Sequence, residues 1–272
     1  MRFAGRRAVV TGASRGIGAG IAERLAAEGA AVAIVARTLE AHDHLAGSLQ
    51  LTADRLSGYG GEVAVIVADL TDEHDRARVV PQAAAQLGGP IDVLVNNAAA
   101  AIYGPLADIS LKRRRILFEA NVHAPLDLAQ AVLPEMRERG EGWIVNLSSG
   151  AARPWDGPPF SLGFTGSAIT SYGASKAALN RVTNGLGAEL HGTGIRVNAV
   201  EPRAAVRTEG ADALVGDSLA PDQIESLEQM VEAVVALCAC PPDVTGRSFV
   251  SLDLLAAWGL AVHGLDGTSG PP

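Results

Sequence analysis

The sequence predicts an α/β protein: a single doubly wound domain with a mostly seven-stranded parallel sheet and helices on both faces. Three observations predict it. Short Val/Ile/Ala runs alternate with amphipathic stretches from residue 7 to residue 251. The runs lack polar alternation, the mark of strands covered on both faces, as parallel strands with crossover helices are. A glycine-rich turn lies between the first run and the first helix, where a doubly wound sheet carries its ligand loop. The rhythm never breaks, so one domain over residues 1–258 fits a chain of 272 residues better than two.

Arg7-Ala-Val-Val-Thr11 reads as the first strand, and Gly16 to about Gly29 as the first helix. Ala31-Val-Ala-Ile-Val-Ala36 is the second strand, followed by a long polar segment around His42-Asp-His44. Glu62-Val-Ala-Val-Ile-Val67, Ile91-Asp-Val-Leu-Val95, Trp143-Ile-Val-Asn-Leu147 and Ile195-Arg-Val-Asn-Ala-Val200 follow as strands three to six. Ser248-Phe-Val-Ser251 is the last. From Gly259 the chain is rich in Gly and ends Ser-Gly-Pro-Pro, so residues 259–272 read as a loose tail.

Composition narrows the function. With 48% hydrophobic and 19% charged residues the chain can bury a substantial core, which argues against disorder. A formal charge of −8 argues against a nucleic-acid surface, and Arg113-Arg114-Arg115 reads as a solvated helix face. No apolar stretch approaches the roughly 18 residues of a membrane span. The first apolar run stops at Thr11-Gly12, short of a secretory segment, so a cytoplasmic location is expected. Cys238 and Cys240 stand one residue apart without a zinc-spaced partner, and the six histidines form no paired-ligand pattern. Free thiols and no metal are the expectation.

The turn after the first strand is Gly12-Ala-Ser14-Arg15-Gly16-Ile17-Gly18. Glycines let the backbone approach a pyrophosphate, and a helix N-terminus supplies N–H groups and partial positive charge. An acidic residue at the end of strand two would bind the ribose hydroxyl of NAD. Here that strand ends Ala36-Arg37-Thr38. Arg37 and Arg15 match a 2′-phosphate, so NADP(H) is favoured over NAD(H). The alternative makes Arg37 a helix-start residue with Thr38 as N-cap. Asp69 and Leu70, at the end of strand three, stand where an adenine is received, although Asp69 equally suits a helix N-cap.

Tyrosine and lysine are scarce. There are three tyrosines and, against twenty arginines, two lysines. Tyr172 and Lys176 are four apart, which puts them on one helix face. A neighbouring ammonium should favour the phenolate and draw the tyrosine pKa down towards working pH.

These features together resemble the short-chain dehydrogenase/reductase family, in its compact single-domain branch. The resemblance rests on Gly12-xxx-Gly16-x-Gly18, Asn96-Asn97-Ala98 after strand four, a serine ending strand five, and Tyr172-xxx-Lys176, in order over about residues 5–251. It implies Tyr172 as general acid/base and Lys176 as its modulator and ribose ligand. It implies Ser149, with Ser148 as an alternative, as hydrogen-bond donor to the substrate oxygen. Asn121 would support a water relay from Lys176; read alone, it equally suits a satisfied polar group in a helix kink. Asn97, Ala98, Pro202 and Thr208 would border the cofactor.

The departures are Ala99 for the family's glycine, Arg203 after Pro202, and a long segment between Ser149 and Tyr172. That segment includes Trp155, Phe160 and Phe164 and is expected to border an apolar substrate pocket, or else to be a surface insertion. With the long segment after strand two, Pro202-Arg203 gives a weak likeness to a hydroxysteroid-dehydrogenase-like subgroup. The expected function is interconversion of a carbonyl and an alcohol on a small to medium, fairly apolar molecule, by a homotetramer or homodimer. The rival is a non-catalytic dinucleotide-binding sensor or scaffold.

Overall fold

Side by side, the Val/Ile/Ala runs pair into one parallel sheet. The structure is a computed structural model that describes residues 1–40, 46–160, 162, 166, 168–206, 208 and 224–268. In order it contains β1 (Arg7–Thr11), α1 (Gly16–Ala27), β2 (Ala31–Ala36), α2 (Leu49–Ser57), β3 (Val63–Val67), α3 (Glu73–Gln86) and β4 (Val93–Asn96). There follow α4 (Leu111–Phe118), a π-helical turn (Glu119–His123), α5 (Ala124–Arg139), β5 (Gly142–Leu147), a 3-10 turn (Gly150–Ala152) and α6 (Thr170–Glu189). The last described elements are β6 (Ile195–Glu201), β7 (Ala205–Val206), β8 (Ile224–Glu225), α7 (Leu227–Leu237), β9 (Ser248–Val250) and α8 (Ser251–Trp258).

The main sheet has seven strands in the order β3-β2-β1-β4-β5-β6-β9, all pairs parallel. Burial explains the unbroken apolar strands. One face packs Ile21 and Leu25 of α1 with Leu49 and Leu56 of α2, Met230 and Val234 of α7 and Leu254 of α8. The other packs Val79 and Val80 of α3 with Leu128 and Val132 of α5, and Leu186 of α6 borders it. The expected doubly wound Rossmann-type sheet is therefore present.

Local chemistry sets several boundaries. Asp72 caps α3 by accepting from the N–H groups of His74 and Asp75. Ser226 and Gln229 form a reciprocal capping box at the start of α7. β4 begins two residues later than its apolar run, because Asp92 turns its carboxylate to the Arg7 N–H at 2.8 Å. β9 stops at Val250 because Ser251 opens α8. The paired strands β7 and β8 were not foreseen; two residues carry no period to read.

The segment after Gly259, expected to be loose, instead carries contacts in its described part. Leu260, Val262 and Leu265 pack on the core, Arg24 donates to the Gly264 carbonyl at 3.2 Å, and His263 meets Glu232 at 3.1 Å. Three apolar residues hidden in a glycine-rich stretch anchor it across α1 and α7. Residues 269–272 lie outside the described residues. Among the described residues, no helix is long and apolar enough to cross a membrane.

Candidate active site

The strand order reverses at the β1–β4 pair, and α1 after β1 and α5 after β4 pack on opposite faces of the sheet, which leaves a crevice at the C-terminal ends of these strands. That is where an open α/β sheet binds its ligand. A cleft of about 1110 Å³ lies there. Gly12, Ser14, Arg15, Ile17, Arg37, Asp69, Leu70, Asn97, Ala98, Ser149, Tyr172, Pro202 and Thr208 all line it. Of the other residues singled out from sequence, Asn121 and Lys176 are buried in the protein, and Gly16 and Gly18 shape the loop between β1 and α1.

The glycines are held for separate reasons. Gly12 has φ +67°, and a Cβ there would stand 2.8 Å from Ala98 Cα. At Gly18 a Cβ would meet the Gly12 carbonyl oxygen at 2.4 Å. The loop is also tied to β4: Asn97 donates to the carbonyls of Thr11 (2.8 Å) and Gly12 (3.2 Å), while Thr11 Oγ1 accepts from the N–H groups of Asn97 and Ala98, both at 3.0 Å. Asn97 therefore acts on the glycine loop as a brace. No side chain caps α1 and no acidic residue stands in its first turn. Arg15 donates to the Gly47 carbonyl at 3.0 Å, and its buried Nε has no hydrogen-bond partner among the described residues. This cradle fits a pyrophosphate.

Arg37 follows β2 with its side chain 73% exposed, 3.9 Å from Asp69. The reading of Arg37 and Thr38 as a helix start does not hold, since the next described helix begins at Leu49 with Ser48 as its cap. Asp69 is not an N-cap either. Its Oδ1 accepts from the N–H and hydroxyl of Thr71, at 2.9 and 2.8 Å, and Asp72 caps α3. His42 and His44 lie outside the described residues.

At the other end of the cleft, β5 delivers Ser149 and α6 delivers Tyr172. Ser149 Oγ accepts from the Ala151 N–H at 3.2 Å, and its hydroxyl acts on the neighbouring Tyr172 phenol. Ser148 does not line the cleft, and its buried hydroxyl has no partner among the described residues. Lys176 is 2% exposed and donates to the Leu147 carbonyl at 2.7 Å. Burial draws its ammonium down to about 8.

Tyr172 departs from expectation. Burial pushes its hydroxyl up to about 12, with the neighbouring Tyr103 phenol acting the same way and the Ser149 hydroxyl opposing them. The spacing of Lys176 placed it on the same helix face; it could not show that the ammonium turns inward to a backbone carbonyl.

Asn121 sits in the π-helical turn with its amide fully engaged. It accepts from the Ala100 N–H at 2.8 Å, donates to the Ala100 carbonyl at 2.9 Å, and donates to Ser175 Oγ at 3.0 Å. Ser175 in turn donates to the Tyr172 carbonyl at 2.7 Å. The satisfied-polar reading of Asn121 thus has a purpose: the chain of bonds ties the loop after β4 to the helix that carries Tyr172.

One residue escaped sequence reading. Glu225 is wholly buried, and its Oε2 accepts from the Arg203 N–H (2.8 Å) and Ser251 Oγ (2.7 Å). It braces the Pro202-Arg203 turn, where the usual glycine is missing, and Arg203 keeps a negative φ. Nothing in a two-residue strand announces such a role. Trp155, from the long segment before α6, lines the cleft, whereas Phe160 is 58% exposed and Phe164 lies outside the described residues.

Comparison with known proteins agrees with this geometry. Residues 6–217 match the family described as short chain dehydrogenase. A short chain dehydrogenase of Pseudocercospora fijiensis is 34% identical over 232 residues, covering 84% of this chain and 69% of the relative. Hydroxysteroid dehydrogenase-like protein 2 of Xenopus tropicalis is 31% identical over 265 residues; these cover 95% of this chain but only 60% of that longer relative. A putative NAD(P)-dependent gluconate 5-dehydrogenase from Beutenbergia cavernae, solved with NADP bound at low occupancy, superposes with a TM-score of 0.78 at 32% identity, covering 93% and 98% of the two chains.

Proposed function

The chain belongs to the short chain dehydrogenase family of oxidoreductases, and we propose that it is an NADP(H)-dependent reductase of ketones or aldehydes on small to medium, fairly apolar molecules. One observation carries the reading: Tyr172 and Ser149 open on the same cleft as the glycine loop. A pure dinucleotide sensor has no use for that hydroxyl pair. This chain covers 60% of the length of its hydroxysteroid dehydrogenase-like relative.

NADPH, when bound, would supply the hydride. The cradle of Gly12, Gly16 and Gly18 would hold its pyrophosphate, and Arg15 and Arg37 its 2′-phosphate, with Asp69 and Leu70 beside the adenine. Asn97, Ala98, Pro202, Thr208 and Tyr172 would border the nicotinamide half; Lys176, expected as a ribose ligand, is buried with its ammonium on the Leu147 carbonyl and does not line the cleft. Ser149 orients a carbonyl oxygen against Tyr172. The Tyr172 hydroxyl stays protonated at neutral pH, being shifted to about 12, and so holds the proton that this oxygen needs on reduction. Lys176 remains largely an ammonium below about 8 and supports the phenol electrostatically as it gives up that proton. The reverse, oxidation, asks Tyr172 to lose its proton first, which its burial opposes.

The described side chains at this end of the cleft, Ile102, Ile116, Trp155 and Ile169 among them, suit an apolar substrate. A homotetramer or homodimer through the helices bearing Asn121 and Tyr172 goes with this reading and is checked by light scattering.

A panel of aliphatic, alicyclic and aryl ketones and aldehydes, followed by NADPH and NADH absorbance, tests the proposal. Turnover of apolar carbonyls is expected, with a higher kcat/KM for NADPH, and Arg37→Ala should shrink that preference. Equal use of both cofactors would overturn the NADP(H) assignment. Inactivity on every carbonyl would overturn the reductase.

A further inference from the structure

Two of the three tyrosines meet in the cleft. Tyr103, in the loop after β4, stands edge-on to Tyr172, with ring centroids 5.4 Å apart and planes at 86°. Ring quadrupoles favour this T-shaped arrangement. The loop is tied to the region of α6 at two points: Asn121 bridges Ala100 to Ser175, and the Gly104 N–H donates to the Ala168 carbonyl at 2.7 Å. Tyr103 is therefore not a side chain resting by chance on its neighbour. Its residue is 45% exposed and lines the cleft, as Ile102 and Trp155 do. Arg15, Arg37 and Asp69 stand at the far, β2–β3 end of the same cleft.

We propose that Tyr103 is a positioning and specificity residue: it fixes the ring of Tyr172 at its donating angle, and its own ring walls a subsite for a flat apolar group flanking the substrate carbonyl. The proposal rests on Tyr172 being the acid. The second torsion of a tyrosine side chain is broad, so an edge-on partner is what holds the phenol to one orientation. A flat group beside the carbonyl gains a ring face and contacts with Ile102 and Trp155, whereas a slender chain fills the same space poorly. Tyr103→Phe keeps both the edge contact and the wall. Tyr103→Ala removes both.

The test compares wild type, Tyr103→Phe, Tyr103→Ala and Tyr103→Leu in the full chain, with matched melting curves to confirm folding. The substrates are an aryl ketone and an open-chain ketone of similar size. Tyr103→Ala should raise KM for the aryl ketone roughly tenfold, with a smaller change for the open-chain one, and lower kcat for both. Tyr103→Phe should restore both constants to near wild type, and Tyr103→Leu should restore part of the KM. A second readout needs no turnover. With 13Cζ-labelled tyrosine, the chain gives three resonances, assigned by single Phe substitutions. The Tyr172 signal should move in Tyr103→Ala, and its titration midpoint should fall below that of wild type as water enters and the second phenol is lost. Unchanged constants for both ketones together with an unmoved Tyr172 titration would overturn the role of Tyr103. An active Tyr172→Phe, by contrast, would remove the acid while leaving the NMR result to decide Tyr103.

Discussion

Tyr172 and Lys176 are displaced in opposite directions by one cause. Burial disfavours the charged form of each, so the phenol rises to about 12 and the ammonium falls to about 8. Both shifts suit the reduction proposed above at neutral pH: Tyr172 keeps its proton and Lys176 keeps its charge. The sign for activity follows. Below about 8 Lys176 is an ammonium; as pH rises through that value the charge that supports the departing proton is lost. The kcat/KM for carbonyl reduction should therefore decline on an alkaline limb near pH 8, measured with NADPH saturating, while Lys176→Met should be slow throughout and lack that limb. A limb that persists in Lys176→Met would assign it to another group. The placement of both residues on one helix was legible in the sequence, because their four-residue spacing defines a helix face. Their protonation was not, because spacing says nothing of the depth at which a helix face is buried or of the Leu147 carbonyl waiting for the ammonium. Glu225 was invisible for a related reason: its partners, Arg203 and Ser251, are 22 and 26 residues away in the chain.

At the scale of elements, the loop between β1 and α1 is the part that composition alone constrains most tightly. Gly18 leaves room for nothing, since a Cβ there would press on the Gly12 carbonyl oxygen and the Asn97 amide, each at 2.4 Å. Backbone cannot yield as a side-chain tip can. Gly18→Ala should cost about 1–3 kcal/mol through overpacking and shift the cradle, read as a lower Tm together with weaker NADPH binding by fluorescence titration. Gly88→Ala makes the comparison: it has φ +69° but nothing within 4 Å of the added Cβ, and stands away from the cleft. It should lower Tm without touching NADPH affinity. Parallel strands were legible throughout, because burial on both faces writes unbroken Val/Ile/Ala runs. Short elements were not. β7 and β8 are two residues each, and the segment over residues 260–265 hides three anchoring apolar residues among glycines.

For the whole molecule, the order β3-β2-β1-β4-β5-β6-β9 brings together residues separated by more than 150 positions, with Gly12 and Tyr172 lining one cleft. The groups proposed for the adenine side follow β2 and β3, while the hydroxyl pair follows β5, so on the proposed reading the sheet sets the direction in which the dinucleotide lies. The central claim is that this layout passes hydride to a carbonyl carbon as Tyr172 protonates its oxygen. Incubating the protein with NADPH deuterated at the transferring position and the ketone it reduces best, then analysing the alcohol by mass spectrometry and NMR, tests this directly. Wild type should place one deuterium on the carbinol carbon, and Tyr172→Phe should slow that transfer by roughly 10²–10⁴-fold while still binding NADPH. Alcohol formed without deuterium, or formed as fast by Tyr172→Phe, would contradict it.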